Sequence, residues 1–266
     1  MYIVHLPPAD TPAEEILVSD KGGDPPDGAY SYKSVIGMLL YLAGHSRPDI
    51  TMAVSQVARF TQSPKRSHEK ALERIGQYLK GTKKRGLILR PTDSLDVDAY
   101  VDTDFAGMAL KEDRNDPTSV KSRTGFVICV ANCPIIWYSK LQTTIATSSV
   151  HAEYIGLSQA MRDVIPLRTL LTTVSHATGL PDDYGTTFKT RIWEDNNGCR
   201  TIANLEPGKF TPASKWCDIT LHWFRSHLCD RVTVERIDTA KRWADCFTKP
   251  LTTEVFVRIR KLLMGW

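Results

Sequence analysis

At 266 residues the chain has room for one large domain or two small ones, and a 42% hydrophobic fraction with 9% aromatics equips it for a packed core. No apolar run reaches the roughly 18 residues of a transmembrane helix, and the opening MYIVHLPPAD has neither region of a signal peptide, so neither a membrane span nor secretion is expected. The net charge of +4 is unevenly spread: residues 1–30 hold six acids and one base, residues 31–90 hold twelve Lys/Arg and three acids, and residues 91–266 balance.

Residues 1–30 are broken by Pro7, Pro8, Pro12, Gly22, Gly23, Pro25, Pro26 and Gly28 and read as a mobile, extended leader. Residues 31–90 read as a helical, basic segment. Val35, Ile36, Leu39, Leu40 and Leu42 mark a first helix ending near Gly44. Arg47–Pro48–Asp49 opens a second, since proline suits a first turn and an acid there suits the helix dipole. Ser67 is the expected N-cap of a third, with Ala71, Leu72, Ile75, Tyr78 and Leu79 as its buried stripe and Gly81 at its end. Lys70 and Arg74 fall on its polar side and Lys84 follows it. With a local excess of +9, they are the candidates to track a nucleic-acid backbone.

From residue 86 the period becomes strand-like. Gly86–Arg90 and Leu95–Val101 flank a turn, and Leu95, Val97, Ala99 and Val101 alternate. A charged loop at 111–121 precedes two short strands, Gly125–Val130 and Ile135–Tyr138. Ser148 or Ser149 caps a helix carrying Glu153, and Pro166 is expected to break or kink its continuation. There follow a strand at Arg191–Glu194, a helix at Asn196–Ala203, a helix at Asp218–Leu228 and a strand at Val232–Ile237. Short helices from Trp243 and from Glu254 close the chain. Three strands followed by helix–strand alternation indicate an α/β domain on a mixed sheet over residues 91–266.

Six cysteines are scattered and no Cys/His spacing matches a zinc motif, which favours reduced thiols in a cytosolic or nuclear setting. Carboxylates carry the metal chemistry instead. VDTDFAG holds Asp102, SSVHAEY holds Glu153, IWEDNNG holds Asp195 and WADCFTK holds Asp245. On strand, helix, strand end and helix, four such acids form a candidate cage for divalent metal and point to phosphoryl-transfer chemistry. Asp104 shares strand parity with Asp102 and competes for the first position. Ser148, Ser149, Asn196 and Asn197 stand beside the acids with hydrogen-bond donors and acceptors for a bound ligand, or else serve as helix caps.

At these islands the sequence resembles the ribonuclease H region of copia-type retrotransposon Pol polyproteins. YKSVIGMLLYLAGHSRPDITMAVSQVARF and QYLKGTKKRGLIL resemble the connection segment that follows the polymerase palm. VDTDFAG, KSRTGFVICV, IIWYSKLQTTIATSSVHAEY, EDNNGCRTIAN, CDITLHWFR and ADCFTKPL resemble successive ribonuclease H blocks, in family order. The resemblance implies a ribonuclease H-like fold, with a five-stranded mixed sheet flanked by helices and a small helical connection segment before it. It implies a tetrad of Asp102, Glu153, Asp195 and Asp245 holding two Mg²⁺ ions, with Mn²⁺ as a substitute. It also implies hydrolysis of the RNA strand of RNA–DNA hybrids to 5′-phosphate and 3′-hydroxyl ends. A polymerase domain of the same polyprotein is the implied partner, and a cytoplasmic retrotransposon particle, or the nucleus, the setting. The alternative is a Pol fragment that binds nucleic acid without cutting it. Departures from the family pattern include Pro166, His151 and the lack of a histidine between Val232 and Asp245.

Overall fold

The computed structural model describes residues 6–109, 118–179, 188–212, 214, 217–238 and 241–266; most of the charged loop expected at 111–121 lies outside them. Helices α1 (Tyr32–His45), α2 (Thr51–Ala58) and α3 (Arg66–Thr82) come first. Strands β1 (Val97–Asp104), β2 (Arg123–Val130) and β3 (Cys133–Leu141) follow, then α4 (Ser149–Ala177), β4 (Thr190–Glu194) and α5 (Asn197–Ala203). A 3₁₀ helix at Ile219–His227, strand β5 (Val232–Arg236) and helices α6 (Asp245–Thr248) and α7 (Thr253–Met264) complete the order.

The strands form one mixed sheet in the order β3-β2-β1-β4-β5. The β1–β2 and β2–β3 pairs are antiparallel, and β1–β4 and β4–β5 are parallel. One face, with Val101, Phe126, Ile128, Ile192 and Val234, packs on Leu157, Met161 and Val164 of α4 and Ile202 of α5. The other face, with Val127 and Cys129, packs on Phe247 of α6 and Ile259 and Leu263 of α7. Strand β2 is therefore buried along almost its whole length, as a strand covered on both faces must be.

The helical segment has its own core of Val35, Ile36, Ile50, Val54, Leu72, Ile75 and Tyr78, into which α7 inserts Phe256. Arg47, Asp49 and Tyr78 lock it from inside. Asp49 accepts two hydrogen bonds from the Arg47 guanidinium (2.8 and 2.7 Å) and one from Tyr78 Oη (2.6 Å). Buried charge persists when both partners are this fully satisfied.

Residues 6–31 form no helix or strand before α1 and contact α3: Ser67 Oγ donates to Asp20 (2.7 Å), Lys80 Nζ donates to Leu6 O (2.8 Å) and Arg74 pairs with Glu14 (2.6 Å). Three local expectations need correction. Ser67 thus anchors the leader, and α3 is capped from Lys65 instead, whose N–H is accepted by His68 Nδ1 (3.0 Å). Gly86–Arg90 forms no strand; Ile88 N–H donates to Met264 O at the end of α7 (3.1 Å). Helix α4 runs through Pro166 without interruption, because Pro166 and Arg162 are exposed and water can serve the carbonyl that loses its intrahelical partner.

Candidate metal centre

Strand β1 alternates across the sheet, with Val97, Ala99, Val101 and Thr103 toward α4 and Tyr100 and Asp102 toward α6 and α7. Asp102 is paired with Gly125 on β2. A Cβ at Gly125 would stand 2.7 Å from both Phe247 Cβ and Thr248 Cγ2, so only glycine lets α6 approach this closely. The approach lets Thr248 Oγ1 donate to Asp102 Oδ2. On the opposite face, a Cβ at Gly156 would lie 2.7 Å from Thr103 Oγ1, and the closeness of α4 to β1 there brings Glu153 to the strand end. Asp195 follows directly on β4.

Ligand oxygens of Asp102, Glu153 and Asp195 lie within 4.8 Å of one another. Asp102 and Glu153 are only 7% and 6% exposed, so these are not solvated surface charges. Asp245 stands to the side of this triplet, joined to Asp102 through Lys249, whose Nζ is 3.4 Å from Asp245 Oδ1 and 3.6 Å from Asp102 Oδ2. Asp104 is not in the triplet; its carboxylate turns back over Gly107.

One acid escaped the sequence reading. Glu194 is wholly buried, and its carboxylate accepts the Asn196 N–H at 2.9 Å. Its signal was parity: residues 190, 192 and 194 share the buried face of β4. Burial pushes the Glu194 carboxyl up to about 8, with Asp195 and Asp102 adding repulsion and the Asn196 N–H opposing it. Glu153 is pushed up to about 10 by burial and then by Glu194, Asp102 and Asp195. Asp245 is raised by burial and by Asp102, while Lys249 and Arg242 pull it down.

A folded-state carboxyl raised from 4.5 to about 8 keeps a proton that the unfolded chain loses, so without metal its contribution to stability falls as pH rises between those values. Glu194→Gln is therefore expected to gain on wild type with rising pH, by a few kcal/mol at pH 8 and little at pH 5. Urea melts in a chelator measure this, and parallel pH slopes would refute it.

The donor set suits a hard divalent cation. All its ligands are carboxylate oxygens, and buried Glu153 Oε2 has no hydrogen-bond partner among the described residues. Asp102, Glu153 and Asp195 would hold such an ion, with Asp245 beside them.

The flanking polar residues divide by role. Ser148 Oγ accepts His151 N–H (3.1 Å) and Asn196 Oδ1 accepts Cys199 N–H (3.0 Å), so both cap their helices. Ser149 and Asn197 lie exposed in the first turns. Lys70 and Lys84 are exposed on and after α3, whereas Arg74 is engaged by Glu14 and Thr11 of the leader. Asp218 caps the 3₁₀ helix through Thr220 N–H (2.9 Å), and His222 accepts or donates to Tyr154 Oη (2.8 Å). Among the cysteines, Cys199 and Cys246 are buried, Cys217 is half-buried and Cys229 is exposed. Among the described residues no helix is long and apolar enough to cross a membrane.

No established family profile matches the chain. It is 31% identical over 254 residues, 95% of its length, to the retrovirus-related Pol polyprotein from transposon RE1 of Arabidopsis thaliana. It is 29% identical over 236 residues, 87% of its length, to the corresponding polyprotein from transposon TNT 1-94 of Nicotiana tabacum. The chain spans only 16% of the length of each of these relatives. Secreted RxLR effector protein 161 of Plasmopara viticola is 32% identical over 134 residues, 50% of this chain and 89% of that protein. Because the transposon likeness runs through the helical segment and the acid-bearing strands alike, the chain is, over nearly its whole length, a homologue of one segment of the retrovirus-related Pol polyproteins of copia-type transposons.

Proposed function

We propose that this chain is a metal-dependent ribonuclease H, hydrolysing the RNA strand of RNA–DNA hybrids to 5′-phosphate and 3′-hydroxyl ends on a ribonuclease H-like sheet. The observation that carries the reading is the convergence of Asp102, Glu153 and Asp195 from β1, α4 and the end of β4. Ligand sites of α/β sheets tend to form at such strand ends. Relatives that are Pol polyproteins, and the order of the acidic blocks, favour reverse transcription as its setting.

Two Mg²⁺ ions, replaceable by Mn²⁺, would supply an activated water and stabilise the leaving 3′-oxygen when bound. The four carboxylates orient and charge-balance that centre, and no side chain need act as nucleophile. Thr248 fixes the rotamer of Asp102 by its hydrogen bond, and the Asn196 cap holds the start of α5 beside Asp195. Exposed Ser149 and Asn197 would read ribose 2′-hydroxyls, which distinguish a hybrid from duplex DNA. Lys70 and Lys84 extend the contact along the backbone, and a polymerase domain of the same polyprotein is the partner in this reading.

The test is cleavage of a labelled RNA–DNA hybrid in Mg²⁺ at low salt. RNA fragments with 5′-phosphates support the reading; an intact hybrid in both Mg²⁺ and Mn²⁺ rejects it for this chain. Hybrid binding is also expected to weaken steeply with salt, and Lys70→Gln with Lys84→Gln should lower the slope of log affinity against log salt by about one to two. An unchanged slope would return α3 to a purely structural role.

A further inference from the structure

Two cations already sit among the acids. Arg242, between β5 and α6, places Nη1 3.0 Å from Asp195 Oδ2. Lys249, just past α6, spans Asp245 and Asp102 at 3.4 and 3.6 Å. Their side chains are 36% and 39% exposed, whereas the Asp102 side chain is 10% exposed and that of Asp195 22%. The cations therefore approach from the rim while the acids are seated within.

Neither cation is held as a structural pair would be. The buried Arg47–Asp49 pair is bidentate, with contacts of 2.8 and 2.7 Å. Arg242 reaches Asp195 with Nη1, and its Nε is buried with no hydrogen-bond partner among the described residues. Both Lys249 contacts are longer than the roughly 2.7–2.9 Å of a well-made charge-assisted bond. Long stems anchor both heads, so each can leave without moving the backbone. The oxygens they occupy belong to three of the four candidate metal ligands. A divalent ion carries twice the charge and needs the same oxygens.

We propose that Arg242 and Lys249 are tethered counter-ions of the acid cluster, which occupy carboxylate oxygens of Asp195, Asp102 and Asp245 in the metal-free chain and are displaced to the rim by divalent metal. This inference rests on the metal-centre reading above. It assigns the two side chains a task before any nucleic acid arrives: they limit repulsion among the acids and set the metal concentration at which the centre loads.

Calorimetric titration of the full chain with Mn²⁺ alone tests it, without substrate or turnover. Arg242→Gln and Lys249→Gln are each expected to bind Mn²⁺ about fivefold more tightly, the scale of a partly exposed ion pair. Arg242→Lys, which keeps the charge, and Lys241→Gln, which removes a neighbouring exposed cation, should stay within about twofold of wild type. Equal affinity in all variants, or weaker binding in the two glutamine variants with unchanged melting temperature, overturns the inference and leaves the metal centre standing. A lack of Mn²⁺ uptake by every chain overturns the metal centre itself and the inference with it.

Discussion

Asp102→Asn is expected to abolish metal-dependent hybrid cleavage, with a fall of roughly 10³-fold or more, while the fold survives. The residue is at the middle of the sheet end, and every other charged group of the centre is referred to it. A carboxylate oxygen of it lies within 4.8 Å of those of Glu153 and Asp195, and it accepts the Thr248 hydroxyl and faces Lys249. Asparagine keeps the shape and one acceptor for Thr248 but removes the charge that a metal requires. Because Asp102 raises the carboxyls of Glu153, Glu194 and Asp245, its neutralisation also relieves repulsion, and the metal-free melting temperature should not fall. Mn²⁺ titration, hybrid cleavage and thermal melting on one preparation check all three expectations. A variant that cuts at the wild-type rate would remove Asp102 from the centre.

Gly125→Ala is expected to cost about 3 kcal/mol of stability and to weaken metal binding, although residue 125 carries no chemistry. A methyl group there would meet Phe247 Cβ and Thr248 Cγ2 at 2.7 Å and the Phe247 carbonyl carbon at 2.9 Å. Two of these three atoms lie on or next to backbone, so no side-chain rotation relieves the clash and α6 must move. Phe247 is wholly buried, which leaves the helix little room to retreat. Movement of α6 carries Asp245, Thr248 and Lys249 with it, so the Thr248–Asp102 hydrogen bond is broken. Chemical denaturation and Mn²⁺ affinity should therefore shift together. Loss of stability with unchanged metal affinity would show that α6 does not position the centre.

What the chain disclosed by its pattern was whatever depends on local period. The alternation of Leu95, Val97, Ala99 and Val101 locates β1 because one side of that strand packs on α4. Strand β2 was harder to bound, since burial on both faces erases alternation from Arg123 onward. The segment at Gly86–Arg90 has strand-like residues but finds its partner at Met264, a contact that no local window contains. Pro166 was over-read: it and Arg162 lie on an exposed stretch of α4, and the helix continues through it. Three candidate ligands were legible as acids in motif, and their meeting is a matter of topology. Glu194 was hidden by its neighbour: Asp195 absorbed attention while strand parity already placed residue 194 inside. The pinning of the leader was written in charge, an acidic stretch before a basic one, but the specific pairs Asp20–Ser67 and Glu14–Arg74 required the fold.

Helix α7 has a practical consequence for dissecting this polypeptide. It belongs to two cores at once, giving Phe256 to the helical segment and Ile259, Leu263 and Met264 to the sheet. Trp137 of β3 donates to Ala43 O of α1 (2.7 Å), and Arg123 of β2 donates to Ser55 of α2 (2.8 Å). A cut near residue 91 would therefore leave the sheet portion with Phe256 uncovered, Trp137 without its acceptor and Arg123 Nη1 with Ser139 Oγ alone. Such a truncation invites aggregation, and limited proteolysis between residues 83 and 96 would release fragments that stay associated. The boundary that is easiest to draw in the sequence is thus the one at which the molecule resists being divided.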